Sequence, residues 1–139
     1  MMKITAVVFT AVGVGLSLSA GSALTRNPAA QQAPTADEHK AWMDDAGVAQ
    51  EDLRDALQAK EGAKVAAAAV TIESLMAKTE AYWAGKNASD IVTLARESRA
   101  LATQVAAAAQ AGQLDQSDAA FTKMNANCSA CHDLHPEKR

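Results

Sequence analysis

The chain has 139 residues, a formal net charge of -3 and only 4% aromatic residues. That length fits a single domain, and the mild charge, with no basic patch and no run of like charges, points away from nucleic-acid binding and from a disordered tail. An alanine-rich chain with three prolines and seven glycines favours helix over strand.

The first elements are targeting segments. Lys3 supplies a positive charge, and residues 4–18 form a mostly apolar run that includes Val7, Phe9, Val12 and Leu16. Gly21, Ser22 and Ala23 then supply the small residues of a cleavage region. Residues 1–23 therefore read as a secretory signal peptide, cut after Ala23 or, less well, Ala20. A retained membrane anchor is the competing reading, but the run is short for a span and contains Gly13 and Gly15. No membrane insertion is expected after cleavage. Residues 24–34, with two prolines, read as a flexible leader.

Residues 35–139 carry four helical patterns. The first starts at Thr35, where Thr35 and Glu38 have the capping-box form, and runs to about Lys60. Its inward stripe is His39, Met43, Ala46, Gln50, Leu53 and Leu57, with Trp42 beside it. Gly47 is either a small cost inside this helix or a point of close approach. Glu61-Gly62 is the first break. The second helix spans residues 63–84, with an inward stripe of Val65, Ala68, Ile72, Leu75, Thr79 and Tyr82 flanked by Met76 and Trp83, and Gly85 suits its C′ position. The third starts near Asn87 or Ser89, buries Ile91, Leu94, Ser98, Leu101, Val105 and Ala108, and ends before Gly112. The fourth starts near Asp115 or Ser117 and presents Phe121, Met124, Cys128, Cys131 and His135 inward. Pro136 stops it.

Four helices with short connections predict an all-α, antiparallel up-down-up-down four-helix bundle. About 22 helical residues span roughly 33 Å, enough to cross the domain. Antiparallel packing gathers Trp42, Met43, Met76, Tyr82, Trp83 and Met124 at one end. It leaves the alanine runs of the second and third helices at the other. The bundle is then tight at the alanine end and splayed at the aromatic end, with room for a large flat ligand. The plainer reading is that the alanines only raise helix propensity.

The fourth helix carries Cys128-Ser129-Ala130-Cys131-His132, the C-x-x-C-H spacing of c-type haem attachment. Residues three apart share a helix face, so both thiols can reach one porphyrin edge. The imidazole of His132 can then meet the iron as proximal ligand. A zinc site would need four ligands, and Cys128, Cys131, His132 and His135 are a cramped set. A thioredoxin-like motif would open a helix after a strand, and no strand pattern precedes this one. A simple disulfide is the remaining alternative. The expected cofactor is one covalent haem c. Trp42, Trp83 and Met124 are candidates to pack against it, and His39, one turn before Met43, could also reach iron.

With this motif near the end of the last of four helices, the chain resembles the class II c-type cytochromes, the cytochrome c′ family, over residues 35–135. Trp42-Met43-Asp44 resembles the Met-containing pair early in that family's first helix. The chain departs from many members in having His135 and Pro136 where an aromatic residue and an Arg follow the motif, and in a short connection between the second and third helices. The resemblance implies a periplasmic one-electron carrier, not an enzyme, that meets periplasmic redox partner proteins and forms homodimers through its first two helices. It also implies two subtypes. In one, Met43 is the sixth iron ligand. In the other, the iron is five-coordinate and binds small gases such as nitric oxide or carbon monoxide.

Overall fold

The structure is a computed structural model that describes residues 33–136; residues 1–23, read above as a signal peptide, and nearly all of the expected leader lie outside the described residues. Four helices follow one another, α1 (Ala36–Gln58), α2 (Gly62–Ala84), α3 (Ser89–Gln110) and α4 (Leu114–Leu134), with no strand among the described residues. Each helix packs on its chain neighbour, whereas α1 and α4 approach one another far less closely. This is the four-helix bundle expected from the sequence. No helix among the described residues is long and apolar enough to cross a membrane.

Local chemistry sets the helix ends. At the start of α1 the Glu38 N–H donates to Thr35 Oγ1 at 3.2 Å, and the Thr35 N–H donates to Glu38 Oε2 at 2.7 Å. That is the reciprocal capping box. Each connection uses one residue in the left-handed region: Lys60 (φ 57°), Asn87 (φ 58°) and Gly112 (φ 73°). In all three the next residue's N–H returns to a carbonyl five positions back, as in Glu61 to Ala56 at 2.9 Å and Gln113 to Ala108 at 2.8 Å. These are Schellman ends. Gly85, expected in that role, is instead an ordinary αR residue (φ -64°), and Asn87 takes the left-handed turn two residues later. The expected break at Glu61-Gly62 resolves similarly. Lys60 makes the turn, while Gly62 sits in the first turn of α2 where a Cβ would lie 3.2 Å from the Ala109 carbonyl oxygen. Close helix approach, not backbone freedom, is what needs glycine there.

The core runs along the alanine-rich half. Leu53, Val65, Ile72 and Val105 are fully buried among Ala69, Ala102, Ala106 and Ala109, with Ser117 Oγ donating to the Val105 carbonyl at 3.0 Å. On α3 Ile91, Ser98 and Val105 are buried as expected, but the positions between them fall one residue later: Ala95, Ala102 and Ala109 are buried, while Leu94, Leu101 and Ala108 are half-buried. The small side chains go to the centre because they let α2 and α3 approach, and the larger ones flank them. Arg96 and Arg99 of α3 reach Glu80 and Glu73 of α2 at 2.8 and 2.6 Å. Exposed pairs of this kind contribute about 0–1 kcal/mol each.

Candidate functional site

The other half of the bundle is not filled. A cavity of about 420 Å³ lies where all four helices contribute walls. Asn127, Cys128, Ser129, Cys131, His132 and Asp133 form its α4 wall, and Met43, Ala46, Gly47 and Gln50 form its α1 wall. Met76 and Thr79 of α2 and Ile91, Leu94, Ala95 and Ser98 of α3 complete it. Its volume falls within the roughly 300–1,000 Å³ of ligand pockets. A void of about 30 Å³ adjoins these residues, bordered by His39, Met43, Trp83, His132 and His135 among others.

The helical repeat explains this convergence. Residues 128, 131 and 132 follow one face of α4, and residues 43, 47 and 50 follow one face of α1. The thiols and the imidazole thus share a cavity with the Met43 thioether, although 85 residues of chain separate Met43 from Cys128.

The state of the thiols separates two chemistries. Both cysteines are free. Burial pushes the Cys128 thiol above its ordinary range, and the neighbouring Cys131 adds to that; Ser98 and Gln50 hydrogen bonds oppose it. Burial also raises Cys131, with a further push from the Asp90 carboxylate. A dithiol oxidoreductase needs the reverse, a thiolate favoured at a helix N-terminus or beside a cation. Here the pair lies in the last turns of α4, at the negative end of the helix dipole. A haem would fit this donor set: two thiols to tether it, the His132 imidazole to bind its iron, and a largely apolar lining. Among the described residues no group of three or more His, Cys, Asp and Glu side chains is arranged to hold a bare metal ion.

The remaining candidates fall in different places. His39 is buried, stacks on Tyr82 with ring centroids 4.6 Å apart, and accepts a hydrogen bond from Trp83 Nε1 at 3.1 Å on its Nε2. To bind iron through that nitrogen it would have to leave both contacts. Trp42 packs edge-on against Tyr82, with Lys78 Nζ 5.7 Å from its ring centroid. His39, Trp42, Tyr82 and Trp83 therefore close the bundle end as a stack, and the cavity lies inside that stack. Met124 is fully buried in the core one turn before Cys128 and does not line the cavity. His135 Nε2 lies 2.8 Å from Asp90 Oδ2, joining the end of α4 to the start of α3. Gln50, Thr79 and Ser98 line the cavity without having been expected as site residues. Their places on the inward stripes were the signal, but polar residues on such stripes read first as packing.

No protein-family model, no curated protein and no solved structure matches this chain.

Proposed function

We propose that this chain is an exported class II c-type cytochrome, a periplasmic protein that holds one haem covalently and moves single electrons. One observation carries the reading: a cavity of about 420 Å³ has Cys128, Cys131 and His132 on one wall and Met43 on another. In this reading Cys128 and Cys131 tether the haem as thioethers, and His132 is the proximal iron ligand. Met43 is the candidate sixth ligand, favoured over His39 because His39 is already held by Trp83 and Tyr82. A haem held there would supply a ferric/ferrous couple, and a thioether ligand such as Met43 paired with His132 would raise its potential. Ile91 and Met76 give the cavity apolar walls, and the aromatic stack with His39 closes the neighbouring bundle end. The export signal is read from residues 1–23, and the redox partner would be another periplasmic protein.

The test is expression of the full chain with haem-attachment machinery. The mature protein should gain the mass of one haem that survives acid–acetone extraction. Cys128→Ala or Cys131→Ala should lower haem retention, and His132→Ala should change the spectrum as well. An unmodified mass would refute the reading. A second reading, a five-coordinate haem protein that binds small gases, is favoured by the exposure of Gly47 in the cavity wall. A high-spin wild-type spectrum that Met43→Ala leaves unchanged would select it.

A further inference from the structure

Gly47 is the least explained residue of α1. A glycine inside a helix lowers its stability relative to alanine. The backbone there is not in the left-handed region, so conformation does not require it. Packing does not require it either, since a Cβ at Gly47 would meet no atom within 4 Å, unlike Gly62. Yet Gly47 lines the cavity and is also exposed to solvent. It lies on the face of α1, with Met43 and Gln50, that turns towards α4. This is the side of the bundle where the helices approach least. Across it Gln50 Nε2 reaches Cys128 Sγ at 3.7 Å, and exposed Ser129 borders the cavity from α4.

We propose that the α1–α4 seam at Gly47 is the passage by which small neutral molecules reach the cavity. The missing side chain at Gly47 sets its width, and Gln50 forms its polar inner edge beside Cys128. The class of molecule is that of diatomic gases and other small uncharged solutes, because Gly47, Gln50 and Ser129 line the seam with small or uncharged side chains. This deepens the haem reading by giving the iron site an entry route, and its first test needs no haem.

That test uses the haem-free full chain with Cys131→Ser, leaving Cys128 as the reporter thiol. Iodoacetamide modification is followed across pH to obtain both the plateau rate and its midpoint. Gly47→Leu should lower the plateau rate roughly tenfold, equivalent to about 1.4 kcal/mol of added barrier, with the midpoint unchanged. Ser129→Leu, which narrows the seam from α4, should act in the same direction. Equal Cys128 rates in the folded parent chain and its folded Gly47→Leu variant would overturn the passage, whatever haem does. In the reduced holoprotein, with Met43→Ala removing any competing thioether, Gly47→Leu should slow carbon monoxide association by a similar factor. An unchanged association rate there would also overturn the passage. A chain that shows the thiol effect but never takes up haem keeps the passage and loses the haem reading.

Discussion

Met43 and Met124 offer the sharpest test, because their environments differ while their chemistry is the same. Met124 is 0% exposed and packs in the core against its neighbours. Truncating such a side chain leaves a hole that the core can only partly close, so Met124→Ala should cost about 2–5 kcal/mol. In a domain of this size that lowers the melting temperature on the order of 10 °C or more. Met43 is half-buried and already borders the cavity. It has fewer contacts to lose, and Met43→Ala should cost about half of the 1.5–3 kcal/mol of a fully buried side chain. Urea denaturation of the two haem-free variants measures this ranking. In the holoprotein the ranking should invert. Met43→Ala should convert a low-spin spectrum to high-spin, lower the reduction potential and speed carbon monoxide binding, whereas Met124→Ala should leave coordination alone. Trp42→Phe, in the end stack, should also leave it alone. A low-spin spectrum that persists in Met43→Ala would refute the assignment. Its loss in His39→Ala would transfer the ligand role to His39, despite the hydrogen bond from Trp83 that His39 would then have to release.

Four further outcomes concern the turns, the first cap and the Asp90–His135 contact. Lys60 occupies a left-handed position without glycine's freedom, so Lys60→Gly should stabilise the chain by about 1 kcal/mol, and Gly112→Ala should destabilise it by about 1–2 kcal/mol; urea midpoints read both. Thr35→Ala removes the hydrogen bond that Thr35 Oγ1 accepts from the Glu38 N–H and should cost about 1 kcal/mol in the same assay. The hydrogen bond with His135, and after it the Ile91 N–H, holds the Asp90 carboxyl below its ordinary value of 3.8. Because the folded value is the lower one, this contribution is complete above the ordinary value and is lost as pH falls through the folded one. Asp90→Asn should therefore flatten the acid limb of stability against pH below about pH 5, and an unchanged acid limb would show that the contact does not persist in solution.

The helices, their order and their antiparallel packing were legible in the sequence, because these follow from local chemistry and a 3.6-residue repeat. The Thr35–Glu38 capping box, the Gly112 turn, the stop at Pro136 and the stripes through Leu53, Ile72, Val105 and Phe121 could all be read one residue at a time. The C-x-x-C-H run was equally legible, because its spacing is a statement about one helix face. Packing between helices settled the rest. Gly85 suited the C′ position of α2, yet Asn87 takes the left-handed turn two residues later. On α3 Ala95, Ala102 and Ala109 are buried in place of Leu94, Leu101 and Ala108, because close helix approach favours small side chains at the centre. His39 and Met43 share a stripe, yet Tyr82 and Trp83 hold the first in the end stack and leave the second on the cavity wall. Gly47 could mean close approach or mere cost. Its meaning depended on how far α4 stands from α1, a distance that no single helix encodes.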